Sequence, residues 1–70
     1  MKVIESLSVS NYTMLTFDRP IFPGNPEVPK GFTKIIIDGI AYRPEIAYDA
    51  PNSIGIVGNI DATGKDAQFV

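Results

Sequence analysis

Phe32-Thr33-Lys34-Ile35-Ile36-Ile37-Asp38-Gly39-Ile40-Ala41-Tyr42-Arg43-Pro44-Glu45-Ile46-Ala47-Tyr48 is the stretch whose reading decides the fold. Asp38-Gly39 stands between two runs rich in β-branched and aromatic residues. A tight hairpin turn of type I′ needs positive φ at both central positions, and Asp-Gly is among the pairs that supply it at least cost. The stretch therefore predicts a hairpin with strands over residues 32–38 and 40–48. On the second strand Ile40, Tyr42, Ile46 and Tyr48 share one face. Pro44 lies among them and has no N–H to give a ladder, so this strand is an edge or carries a bulge.

Ile35, Ile36 and Ile37 are consecutive, so both faces of the first strand are apolar. A strand apolar on both faces has to be covered twice. In a chain of 70 residues the simplest second cover is another subunit. A symmetric homo-oligomer is expected, with Ile36 at the contact.

Working outward, Val3 to Val9 alternates. Val3, Glu5, Leu7 and Val9 fall on one side, and Ile4, Ser6 and Ser8 on the other. Ser8 to Asn11 is polar enough to turn the chain. Tyr12 to Phe17 resumes, with Thr13, Leu15 and Phe17 opposite Tyr12, Met14 and Thr16. Residues 2–9 and 12–18 read as an antiparallel pair, with Ser6, Ser8 and Ser10 facing outward. Downstream, 49–53 is a turn by composition, 54–58 a short strand, and 67–70 either a last short strand or a frayed end. Ten isoleucines and five valines stand against two leucines and five alanines, which favours a pleated sheet over helices.

The expected fold is all-β: a small antiparallel barrel or two-layer sheet of five to six short strands, one domain over residues 1–70. Its core is expected to hold Ile35, Ile37, Ile40, Tyr42, Ile46, Ile54 and Ile56. Leu7, Leu15, Phe17 and either Val3 or Ile4 join from the first half.

Between the halves lies a proline-rich connecting loop at residues 19–31. Pro20, Pro23, Pro26 and Pro29 recur at an interval of three, the repeat of a polyproline II helix. Such a ridge is able to dock in an aromatic-lined groove of a partner, with Arg19 or Lys30 as the flanking charge. The plainer reading is a rigid connection whose prolines lower the entropy lost on ordering. A third is a cover for an edge strand, or the subunit contact itself. Ile21, Phe22 and Val28 sit between the prolines, where they either pin the loop to the sheet or face a partner.

Composition narrows the chemistry. There is no cysteine and no histidine, which excludes disulfides, thiolate metal sites and cysteine nucleophiles, and removes the commonest general base. No serine lies in a Gly-x-Ser-x-Gly setting and no glycine run leads into Lys-Ser or Lys-Thr. Asp38 and Asp49 are explained by their turns. The segment 61–66 lacks the acidic spacing of a cation loop, with Lys65 opposing a cation. No metal, no cofactor and no catalytic residue is expected, so the chain reads as non-enzymatic. Six basic and eight acidic residues are scattered singly for a net charge of −2, so the basic stripe of a duplex binder is missing. No segment has the length and hydropathy of a signal peptide or a membrane span, which with the absence of cysteine points to a cytoplasmic protein.

The function expected is a binding or assembly module that associates with itself and recruits a protein partner. Ile21, Phe22, Pro23, Pro26, Ile36, Tyr42 and Tyr48 are the candidate partner or oligomer surface. Nucleic acid is disfavoured. The alternative is a small barrel that stacks single-stranded nucleic acid on Tyr12, Tyr42 and Tyr48. A ligand or enzymatic site built between subunits ranks last.

Overall fold

The computed structural model describes residues 1–45 and 50–70, so expectations for Ile46, Tyr48 and Asp49 fall outside the described residues. Among those described, the fold is all-β, with two antiparallel sheets that do not close into a barrel. Strands β1 (Val3–Val9), β2 (Tyr12–Phe17), β5 (Pro44–Glu45) and β6 (Ser53–Val57) form a sheet in the order β1-β2-β6-β5. Strands β3 (Ile35–Ile37), β4 (Ile40–Tyr42) and β7 (Ala67–Phe69) form a second, in the order β4-β3-β7.

The Asp-Gly hairpin forms as expected. Asp38 has φ 53° and Gly39 φ 76°, the two positive values that the turn requires. Ile35 pairs with Tyr42 and Ile37 with Ile40. The strand expected over 40–48 is interrupted. It leaves the three-stranded sheet after Tyr42 and joins the four-stranded sheet at Pro44, which pairs with Ile56 at that sheet's edge. The edge reading of Pro44 holds, because an edge strand has one side where no N–H is needed. Arg43 is the corner at which the chain changes sheets.

The first hairpin also forms, with Val9 opposite Tyr12 and Ser10 at φ 56°. Its side-chain faces differ from simple alternation. Val3 pairs with Phe17, but Glu5 pairs with Thr16, so Ile4 is an extra residue in a β-bulge. The bulge resets the alternation. Glu5, Leu7 and Val9 turn away from the core, and Ser6 and Ser8 turn to the side of Leu15 and Thr13. Leu7 is therefore 57% exposed and not a core residue. Ser6 faces inward, where its Oγ accepts a hydrogen bond of 3.0 Å from the Ala62 N–H. Continued alternation would have aimed the Glu5 carboxylate into the apolar interior, and burying an unpaired carboxylate costs several kcal/mol. Ile40 is the other correction: on the edge strand β4 it is 56% exposed, although its partner Ile37 is buried.

The core lies between the sheets. Val3, Leu15, Phe17, Ile54 and Ile56 come from one, and Ile35, Ile37, Ala67 and Phe69 from the other. Tyr42 packs against them half-buried. The proline loop closes one end. Ile21 is a core residue at 1% exposure, and its N–H donates to the Pro51 carbonyl at 2.8 Å. Phe17, Phe69, Phe32 and Phe22 form a chain of ring contacts from core to loop, at 5.4, 5.1 and 6.1 Å between centroids. The loop is thus pinned by Ile21 and its neighbours. Thr13 is the one fully buried polar side chain among the described residues, and its hydroxyl is fully used. It donates to the Gly58 carbonyl at 2.6 Å and accepts from the Ile60 N–H at 3.0 Å.

Candidate association face

The bulge in β1 has a consequence on the sheet's outer surface. Reading across the paired strands, the outward residues stand in three rows. Val9, Tyr12 and Val57 lie side by side, and Arg43 completes the row, its carbonyl accepting from the Val57 N–H at 2.9 Å. Leu7, Met14, Gly55 and Glu45 form the next. Glu5, Thr16 and Ser53 form the third. Leu7, Val9 and Tyr12 are exposed, and Met14 and Val57 half-buried. Five apolar side chains are therefore contiguous on the sheet's outer surface, three of them exposed. Their rim is polar: Glu5 at one corner, the Arg43–Glu45 pair (3.3 Å) at the opposite edge, and the linked hydroxyls of Thr16 and Ser53 (3.3 Å) along one side. Gly55 in the middle is buried between Met14 and Glu45. A Cβ there would stand 3.1 Å from the Glu45 carbonyl, so the approach of β5 to β6 calls for glycine.

A cleft of about 640 Å³ lies beneath the proline loop. Phe22, Pro23, Val28, Pro29, Phe32 and Pro44 wall it, with Lys30 also on the lining. The loop around it is internally braced. Asn25 donates to the Pro20 carbonyl at 2.8 Å and its Oδ1 accepts from the Glu27 N–H at 2.9 Å, while Arg19 pairs with Glu27. The four prolines do not line one straight ridge, because the chain turns at Phe22–Gly24 and again at Pro26–Glu27.

The residues singled out from the sequence separate on the structure. Ile21 is buried, Phe22 is half-buried on Phe32, and Pro23 and Pro26 are exposed. Ile36 is on the outward side of the three-stranded sheet between Ala41 and Gln68, and is half-buried. Tyr42 shares the inward side with Ile35 and lies about 4 Å from where a Cβ on Gly58 would stand. Tyr12 is outward on the other sheet, so Tyr12 and Tyr42 share no face. Ile21, Phe22 and Pro23 gather at the cleft; Ile36 and Tyr42 are elsewhere. Sequence reading missed Leu7, Val9, Met14 and Val57. The available signal was Tyr12 and Met14 on the face of β2 opposite Leu15 and Phe17.

Two charged side chains outside the face have close partners and shifted titration. Lys65 pairs with Asp38, tying the hairpin turn to the loop before β7. That hydrogen bond and charge raise the Lys65 ammonium above its ordinary value. The Asp61 carboxyl is held below its ordinary value, chiefly by the hydrogen bond from the Thr63 N–H at 3.1 Å. Among the described residues no three acidic side chains gather to hold a cation, and no helix is long and apolar enough to cross a membrane. Compared with known protein families, curated protein sequences and solved structures, the chain matches none.

Proposed function

We propose that this chain is a non-enzymatic assembly module whose association surface is the outward face of the four-stranded sheet. The observation that supports it is the contiguous patch of Leu7, Val9, Tyr12, Met14 and Val57 inside a polar rim. An apolar centre with a charged and hydroxyl-bearing border is the anatomy of protein–protein contacts. Contiguous apolar patches of this kind mark interaction sites on soluble domains. The patch is also superfluous to folding, because the core is already closed on the sheet's other side. Leu7 and Val9 owe their place to the bulge that keeps Glu5 out of the interior.

The partner is another protein chain, bound by burial of apolar side chains and not by phosphate contacts, since the patch carries a single cation, Arg43, already beside Glu45. The test is the pair Leu7→Lys with Val9→Lys. Circular dichroism and the thermal midpoint should stay as in the parent, because both side chains are already in solvent. Sedimentation of the purified chain, and native-gel mobility of the chain in extracts of its own cells, should shift to the monomer. A folded double variant that keeps the parent's behaviour in both assays would remove this face from the account.

A further inference from the structure

We infer that the occupant of this face is a second copy of the same chain, packed face to face with its strands nearly perpendicular, so that Glu5 of each copy meets Arg43 of the other. This rests on the association face proposed above and specifies its partner. Glu5 and Arg43 stand at diagonally opposite corners of the outward grid, Glu5 on the outer strand β1 in the third row and Arg43 beside β6 in the first. In a symmetric dimer the two-fold axis lies in the plane of contact, and each point of one face meets its mirror position across that axis. An axis along the other diagonal, running from Val9 past Met14, carries Glu5 onto Arg43 and Arg43 onto Glu5.

The same operation settles the remaining positions without conflict. Val9 and Met14 lie near the axis and meet their own copies. Leu7 falls between Tyr12 and Val57 of the other chain. Glu45 falls beside Thr16, whose half-buried hydroxyl is a donor for a carboxylate. Every charge that the described residues place on the face thus acquires a counter-charge or a donor, and every apolar side chain among them an apolar neighbour. An axis parallel to the strands, midway between β2 and β6, does not achieve this. It sets Leu7 against Glu45 and Val9 against Arg43. The diagonal solution turns one sheet roughly 90° to the other, one of the two known ways in which sheets stack.

Area sets the strength. The eleven described positions, on strands about 4.8 Å apart and in outward rows about 6.8 Å apart, give a footprint of roughly 360 Å². Side-chain relief brings this towards the roughly 600 Å² per partner at the small end of specific interfaces. The dimer should therefore dissociate in the micromolar range and respond to salt, since its register depends on two exposed charge pairs.

A charge exchange tests the arrangement. Sedimentation equilibrium is measured for the parent chain, for Glu5→Arg, for Arg43→Glu and for the chain carrying both. Each single reversal places like charges together twice and should weaken the dimer at least tenfold. The combination restores both pairs and should return to within about threefold of the parent. All three variants should keep the parent's circular dichroism, because both side chains are exposed. A combined variant no tighter than the weaker single one overturns the arrangement, as do single reversals without effect. A parent chain that stays monomeric at millimolar concentration also overturns it. If that monomeric chain still forms a complex in extracts that Leu7→Lys with Val9→Lys abolishes, the face remains an association surface with a different protein on it.

Discussion

The two faces of the four-stranded sheet are made of similar residues and have opposite fates. The inner face sets Val3, Leu15, Phe17, Ile54 and Ile56 against the second sheet, and each is at most 1% exposed. The outer face holds Leu7, Val9, Tyr12, Met14 and Val57, with Leu7 and Val9 more than half in water. Hydrophobicity alone does not decide which face becomes core. The inner face has a partner sheet supplied by residues 35–42 and 67–69, a cap supplied by Ile21, and a buried hydroxyl, Thr13, whose hydrogen bonds are complete. Among the described residues the outer face has neither a partner sheet nor a cap. The contrast separates residues that hold the fold from residues that the fold presents.

The largest effect expected of any test is at Phe17. Phe17→Ala should lower the unfolding free energy by about 3–5 kcal/mol, the usual cost of emptying a packed aromatic site. Leu7→Ala should change it by less than about 0.5 kcal/mol. Urea titration of both at a concentration where the chain is monomeric makes the comparison, and a comparable loss at Leu7 would place the outer face in the core. Next is Thr13→Val, which keeps the volume but strands the Gly58 carbonyl and the Ile60 N–H. A loss of about 1–3 kcal/mol is expected by the same titration; a neutral result would mean that this inward polar site is not tight.

Ile36→Thr sharpens the comparison between the two outward faces. Ile36 is half-buried between Ala41 and Gln68, so a cost of roughly 1 kcal/mol is expected, with sedimentation unchanged. A switch to monomer would move the association surface to the three-stranded sheet. The smallest effect lies in the loop beyond both faces. The Asp61 carboxyl is lowered from its ordinary value of 3.8 in the folded chain. Its contribution is therefore present above that value and lost as pH falls through the lower, folded value. Asp61→Asn should flatten the fall in thermal midpoint below about pH 4 by a small amount, without altering the neutral-pH oligomer.

Local signals in the sequence were read well, and long-range compensations were not. Asp38-Gly39 announces its hairpin because the backbone conformation it needs is written in the residue types. Pro44 announces an edge because its missing N–H admits few places in a sheet. The strand through residues 40–48 still broke at Arg43, since a corner between sheets depends on what each half packs against. The core positions of Leu15, Phe17, Ile35, Ile37, Ile54 and Ile56 followed from simple alternation. The face of β1 did not, because a single bulged residue, Ile4, inverts every side chain after it. That bulge answers to Glu5 and to the Ala62 N–H that Ser6 receives, a contact across 56 positions of chain. Three consecutive isoleucines directed attention to Ile36, yet the neighbouring strands β4 and β7 shelter it in part. The exposed apolar face arose on the other sheet, from residues whose pattern reads as an ordinary half-buried strand.

The most direct test of the account is the access of a soluble nitroxide to methyl groups in the purified chain, measured by NMR at about 10 µM and about 1 mM. The methyls of Leu7, Val9, Met14 and Val57 should be strongly broadened at the low concentration and protected at the high one, while those of Ile40 and Val70, exposed elsewhere, stay broadened at both. Equal broadening of Leu7 and Val9 at the two concentrations would contradict it.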